Sequence, residues 1–243
     1  MTLLSPTYPL PGSFLTTRWT RVVLAKSDSE EGRCALSDLC ETYYEPVVSY
    51  LKCEFCDEDL AREAAHSFFA EILEGGRITA ADPVRGRFRS YLLGALKHFL
   101  SRQRESMLRQ KRGGGNSHIP LDHLSGQELA TTDGLSPDLA FDRQWAKTLL
   151  GHALTALERE YEDNGRHLHF ENLKPWLTGD AGHGQQQILA ESLGMNVHTL
   201  RSEIRRMKRR FQSLVEAGVN DTIHHGGSLR EELNELYAAL RAQ

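Results

Sequence analysis

The sequence predicts an all-α protein with two helical domains joined by a flexible, acidic linker. Three observations predict it. Apolar residues recur at spacings of three and four along most of the 243 residues, as amphipathic helices require, and the period-two alternation of a strand is nowhere sustained. Residues 113–137 hold no Lys or Arg, three acids (Asp122, Glu128, Asp133) and many loop-forming residues. Positive charge is gathered into two stretches, one on each side of that segment.

The elements follow in order. Residues 1–13, with Pro6, Pro9, Pro11 and Gly12, read as a disordered tail without the basic and apolar regions of a secretory signal. Thr16 or Thr17 can cap a first helix through Trp19, Val22, Val23 and Leu24. Leu36, Leu39, Tyr43, Val47, Tyr50 and Leu51 trace a second, which Pro46 is expected to interrupt or kink. A third runs from about 57 to 73 with Leu60, Ala64, Ala65, Phe68, Phe69, Ile72 and Leu73 inward, and Gly75 and Gly76 end it. Residues 77–87 read as a loop. A fourth helix buries Phe88, Leu92, Leu96, Phe99 and Leu100 and becomes steadily more basic up to Arg112. Gly113, Gly114, Gly115 and Asn116 stop it and open the linker, residues 113–136. Ser136, Pro137 and Asp138 start the next helix, whose face runs through Phe141, Trp145, Leu149, Ala153, Leu154, Leu157 and Tyr161. A short helix is expected around 170–177. The domain boundaries are therefore 14–112 and 137–218, with residues 219–243 as an extension whose Leu229, Leu233, Leu236, Tyr237 and Leu240 make an amphipathic helix.

Residues 77–112 carry ten Lys or Arg against two acids, and residues 201–210 carry six against one. The remaining 197 residues hold 13 bases and 30 acids, a formal charge of −17 that the net value of −4 conceals. Two basic surfaces on an acidic body suit a protein that grips one polyanion at two places. No run of 18 apolar residues exists, so no membrane-spanning helix and a cytoplasmic location are expected. No Ser/His/Asp arrangement, HExxH or paired-carboxylate signature points to an enzyme, and no cofactor is expected. Cys53 and Cys56 have CxxC spacing, with Cys34, Cys40 and His66 as the nearest further ligands. No second ligand pair follows at finger spacing, so half-buried thiols are the better reading and no metal is expected.

Residues 185–214 fit a helix-turn-helix. Ile188, Leu189 and Leu193 face inward, Ala190 permits a close crossing, Gly194 turns the chain, Met195 plugs the core and Asn196 caps the next helix. That helix buries Leu200, Ile204, Met207, Phe211 and Leu214. Its other face offers His198, Arg201, Ser202 and Arg205, where base readers sit in such motifs, and then Arg206, Lys208, Arg209 and Arg210, where phosphate contacts or solvated charge follow.

At this point the chain resembles an extracytoplasmic-function (ECF) sigma factor of the sigma-70 family, in a branch common in planctomycetes. The likeness covers nearly all of residues 14–218. It is carried in order by residues 16–19 (TTRW), 82–92 (DPVRGRFRSYL), 110–115 (QKRGGG), 173–179 (LKPWLTG) and 189–195 (LAESLGM). The resemblance implies a first domain that opens the −10 promoter element and holds core RNA polymerase, and a second that reads the −35 element. It puts −10 contacts at Arg77, Arg85, Arg87, Arg89, Tyr91, Lys97, His98, Arg102 and Arg104. Those types suit the task, because flipped bases need aromatic platforms and single strands a basic groove. Phe88 fits the apolar stripe and reads as core. The −35 contacts fall at His198, Thr199, Arg201, Ser202, Arg205, Arg206, Lys208 and Arg209. The resemblance puts polymerase contacts on the third helix at Asp59, Arg62, Glu63, His66, Ser67, Ala70 and Glu71. There Ala64, Ala65, His66 and Ser67 stand where the family carries Leu, a polar residue, Gln and Glu. The implied partners are core polymerase, through its clamp and flap regions, and promoter DNA. Control by an anti-sigma factor or another regulator is also allowed for, and no membrane contact is implied. A stand-alone helix-turn-helix regulator is the alternative, and it leaves the basic first domain unexplained.

Overall fold

The structure is a computed structural model that describes residues 19–74, 77–112, 135–179, 185–220, 222–223 and 228–241. The protein is all-α: among the described residues every regular element is a helix or a 3-10 turn. The helices are α1 (Trp19–Leu24), α2 (Glu30–Phe55), α3 (Glu58–Glu74), α4 (Phe88–Arg112), α5 (Pro137–Asp163), α6 (His167–Leu173), α7 (Pro175–Thr178), α8 (Gln185–Ser192), α9 (Val197–Asn220) and α10 (Leu229–Arg241). No helix of the described residues is long and apolar enough to cross a membrane.

The chain divides into two compact units. The larger comprises Leu15–Leu149 together with Val219–Gln243. Its core is built from Tyr43, Val47 and Leu51 of α2, Ala65, Phe68 and Ile72 of α3, and Phe88, Leu92, Leu96 and Phe99 of α4, all buried. Tyr43 meets the edge of Phe88 at 5.4 Å between ring centroids, and Phe68 meets Phe99 at 5.5 Å. Phe141 and Trp145, from the first half of α5, belong to the same core, with Phe141 stacked on Tyr43 at 6.4 Å. Leu236 and Ala239 of α10 are buried there as well.

This division differs from the expected one. The boundary falls between Leu149 and Leu150, inside α5, rather than at 136/137, because the apolar face of Phe141, Trp145, Ala146 and Leu149 is buried within the larger unit. Residues 219–243, expected as an extension, group with that unit too. The expected tail and nearly all of the linker, residues 113–134, lie outside the described residues. So does the cap at Thr16 or Thr17.

Local chemistry sets the element ends. Ser29 caps α2, its hydroxyl accepting from the Gly32 amide at 3.0 Å. The backbone is tight here: a Cβ on Gly32 would lie 2.2 Å from the Ser27 carbonyl oxygen. Pro46 removes one helical hydrogen bond, yet α2 runs unbroken to Phe55. Burial of Pro46, Val47, Val48, Tyr50 and Leu51 offsets that loss. Asp57 accepts from the Leu60 amide at the start of α3. Leu73, expected inward, is 45% exposed at the end of α3, one residue beyond the buried Ile72.

The smaller unit, as described, is Leu150–Gly218. Ala153 and Leu157 of α5, Phe170 and Leu173 of α6, Ala190 of α8, and Leu200, Ile204, Met207 and Leu214 of α9 form its core. Ile188, expected inward, is 69% exposed. It lies two residues before the buried Ala190, about 200° round the helix.

Candidate nucleic-acid interface

In the smaller unit the turn between α8 and α9 has the geometry its sequence implies. Gly194 adopts φ +63°, the left-handed conformation that glycine enters at little cost. The Met195 amide donates to the Ala190 carbonyl at 2.9 Å, closing the end of α8. Asn196 Oδ1 accepts from the His198 amide at 2.8 Å, capping the first turn of α9. Ala190, expected to permit a close crossing, is buried.

The apolar stripe of α9 fixes which face is presented. With Leu200, Ile204, Met207 and Leu214 inward, His198, Thr199, Arg201, Ser202, Arg205, Arg206, Lys208 and Arg209 are all exposed. Among the described residues no carboxylate pairs with Arg201, Arg205, Lys208 or Arg209. Arg201 instead donates to Gln186 of α8 at 3.1 Å. Along the flank of this face Arg206 pairs with Glu203 at 2.8 Å, and Arg210 donates to Glu160 at 2.8 Å. Glu203 also takes Arg166 at 3.0 Å. Partial burial works to raise the Glu203 carboxyl, but Arg166 and Arg206 outweigh it and hold it below the usual range. The helix therefore carries a neutralised flank beside an unopposed cationic face. Such a face, one helix wide, suits the major groove of duplex DNA.

The larger unit treats its cations differently. After the 3-10 turn Arg77–Ala80, Asp82 caps the turn Pro83–Arg85 by accepting from the Val84 amide at 2.9 Å. Val84 is 79% exposed, and Arg85 projects into solvent with Asp82 3.7 Å away. The Arg77 side chain lies outside the described residues. Phe88 is core, as its place in the apolar stripe implies, and the half-buried Tyr91 lies against it at 5.9 Å.

The other expected DNA contacts in this unit are mostly engaged by acids. Lys97 pairs with Asp138 at 2.8 Å, Arg102 with Glu71, and Arg104 with Glu54 at 2.5 Å. His98 is exposed and accepts from Arg102 at 3.2 Å. Arg87 binds Glu235, with Nη2 to Oε1 at 2.9 Å, and its Nε pairs with Glu232. Arg89, read from the sequence as a DNA contact, is 7% exposed. Its guanidinium lies 4.3 Å over the Trp145 ring, 3.3 Å from Glu232 and 2.5 Å from Glu235. Burial works to raise the Glu235 carboxyl, but hydrogen bonding to Arg87 and the charges of both arginines bring it below the usual range. Asp142 behaves oppositely: burial raises it, against the pull of Arg89.

Sequence reasoning missed Glu232, Glu235, Trp145 and Asp142. One signal was present. Glu232 falls on the apolar stripe of its helix, between Leu229 and Leu236, and an acid there implies a buried cation opposite.

On α3, Asp59, Glu63, His66, Ser67 and Ala70 are exposed, and Arg62 and Glu71 half-buried, on the side opposite Ala61, Ala65, Phe68 and Ile72. Arg62 bridges Glu58 at 3.0 Å and Glu45 at 3.4 Å. His66 stacks on Tyr44, with Nε2 2.9 Å from its hydroxyl. None of the four cysteines is in a disulfide, and Cys56 ends α2 with φ +53°. They do not converge with His66 on a metal site. Among the described residues the three side chains that do converge, Glu158, Glu162 and His167, lie elsewhere, and two of them are exposed. Comparison with protein-family models, curated proteins and solved structures finds no match for this chain.

Proposed function

We propose that the chain is a promoter-specificity subunit of the ECF sigma type, which binds core RNA polymerase and directs initiation. The observation that carries the reading is the unopposed cationic face of α9, mounted on a helix-turn-helix crossing, in the same chain as the ordered motif strings at 16–19, 82–92, 110–115, 173–179 and 189–195. In this reading the first turns of α9 enter the major groove of the −35 element. His198, Arg201, Ser202 and Arg205 read base edges there, and Lys208 and Arg209 meet phosphates. The segment around Arg85 and Tyr91, with Val84 at its apex, captures bases of the −10 element. The exposed side of α3 meets the polymerase clamp. The acids of residues 113–136 keep that linker off the DNA its neighbours hold. The protein acts in the cytoplasm, without a catalytic group, cofactor or metal of its own.

Co-purification with core polymerase, followed by run-off transcription on a genomic promoter library, tests this. Retention on core and discrete transcripts are expected. Failure to bind core, under conditions where another sigma factor binds, overturns it.

One observation favours a second reading, a stand-alone duplex-binding regulator. Five expected −10 cations, Arg87, Arg89, Lys97, Arg102 and Arg104, are paired with carboxylates, whereas the α9 face is not. A gel shift without polymerase separates the two, because a regulator binds its site tightly alone and a sigma factor weakly.

A further inference from the structure

We propose that α10 is a built-in brake: Glu232 and Glu235 occupy Arg87 and Arg89 in place of nucleic-acid phosphates, so that single-stranded DNA must displace the helix to use them. The proposal rests on the promoter-subunit reading for its biological sense, but it makes a physical claim of its own.

The claim starts from the chemistry of the contact. Arginine meets carboxylate and phosphate through the same forked donors, so the two anions compete for one site. Glu232 and Glu235 are one helical turn apart and present their carboxylates side by side. Both arginines are met by both acids. The competitor is tethered, and it belongs to the same compact unit as its targets, so it acts at high effective concentration.

Packing alone gives little reason for this charge. Leu236 and Ala239 already bury the apolar side of α10. Apolar residues at both 89 and 232 would dock the helix as well as the buried pair does, since a buried ion pair is commonly no more stable than its apolar replacement. What the acids add is a match to two cations that flank Phe88, within the segment that carries Val84 and Arg85 exposed. The arginines differ in availability. Arg87 keeps about a quarter of its side chain exposed, while Arg89 lies over Trp145. Arg87 is the first released, and Arg89 follows only when α10 leaves.

A two-state brake lowers apparent affinity by the fraction of molecules in the open state. Weakening the acids therefore raises affinity for single-stranded DNA and steepens its salt dependence. Each additional phosphate contact adds about 0.7 to the log–log salt slope, or roughly five-fold in affinity at about 0.1 M salt.

The test uses the full chain and a short fluorescein-labelled single-stranded oligonucleotide, titrated by fluorescence anisotropy at several salt concentrations. Glu235→Gln, at a half-exposed position with little folding risk, is expected to bind about five-fold tighter, with a slope steeper by about 0.7. Glu232→Gln/Glu235→Gln is expected to gain further, up to about 25-fold. Adding Arg87→Ala to Glu235→Gln should cancel the gain. Hydrogen exchange supplies a readout that a purely structural clamp would not move: excess oligonucleotide should speed exchange in 229–241 of the wild-type chain. Association with core polymerase is measured separately. Its loss in every variant and in wild type defeats the promoter-subunit reading, while the oligonucleotide titration still decides the brake. A folded Glu235→Gln chain with unchanged affinity and slope, or exchange in 229–241 unmoved by DNA, overturns the proposal.

Discussion

Arg89 and Glu232 are the most deeply buried ion pair described here, and cutting it from either side should cost stability that cutting both sides restores. Glu232→Ala removes an acid that is 1% exposed and leaves the Arg89 guanidinium with Glu235 alone. Breaking a buried pair usually costs about 3–5 kcal/mol, and the surviving Glu235 partner argues for the lower end, about 3 kcal/mol. Arg89→Met leaves Glu232 with Arg87 and gives up the stacking on Trp145, itself worth roughly 1–2 kcal/mol. At about 2–4 °C per kcal/mol for a chain of this size, each single variant should melt roughly 6–12 °C below wild type. The double variant Arg89→Met/Glu232→Leu replaces the pair by apolar groups beside Trp145 and leaves Arg87 and Glu235 to pair with each other. It should lose less than about 2 kcal/mol, a coupling of at least about 3 kcal/mol. Thermal melts followed by far-ultraviolet circular dichroism read this directly. Single variants that melt within about 2 °C of wild type, or a double variant at the sum of the singles, would refute the reasoning.

Three further outcomes are expected. Arg201→Ala and Arg205→Ala should each relax base preference in the upstream element by about 1–3 kcal/mol, while Lys208→Ala weakens binding evenly across sequences; competition with a randomised-site pool checks both. On acidification, the lowered carboxyls of Glu203 and Glu235 contribute stability that is full above the ordinary carboxylate range, about pH 4.3, and is lost as pH falls through their folded values. Asp142, raised in the fold, works in the opposite sense, so a melting temperature that holds steady or rises down to about pH 3 would mean that Asp142 dominates. Burial first, and the neighbouring charge of Glu41 second, push the Cys40 thiol up to about 11, so Cys40 should alkylate more slowly at mildly alkaline pH than the exposed Cys34 and Cys56; peptide mass spectrometry after timed labelling decides it.

The all-α class was legible because it rests on period alone. The limits of α3 and α4 fell close to the expected ones because Gly75 and the Phe88 stripe mark them in the sequence. The turn at Gly194 and the cap at Asn196 were legible for the same reason: each is a local demand that one residue type meets. Pro46 does not interrupt α2, because its cost is local while the compensating burial of Tyr43 and Leu51 comes from distant parts of the chain. The place where α5 changes unit was invisible, since an uninterrupted apolar face does not say which core each turn enters. Ion pairs between residues more than 140 positions apart, such as Arg89 with Glu232, leave only the faint trace of an acid on an apolar stripe. The exposed α9 face needed only the heptad-like spacing of Leu200, Ile204, Met207 and Leu214, and so it was read correctly as exposed.

The tight backbone at the start of α2 has a consequence for how this chain can vary. Gly32 sits under the Ser27 and Leu24 carbonyls, where the smallest side chain would lie 2.2 and 2.9 Å from main-chain oxygens that cannot swing aside, besides 2.6 Å from the Ser27 hydroxyl. Glu30, Glu31 and Arg33 around it are exposed and touch nothing that constrains them so. A lineage carrying this fold is therefore free to drift at three of four consecutive positions and pinned at the fourth. The pinned one leaves no chemical hint of its importance beyond having no side chain at all.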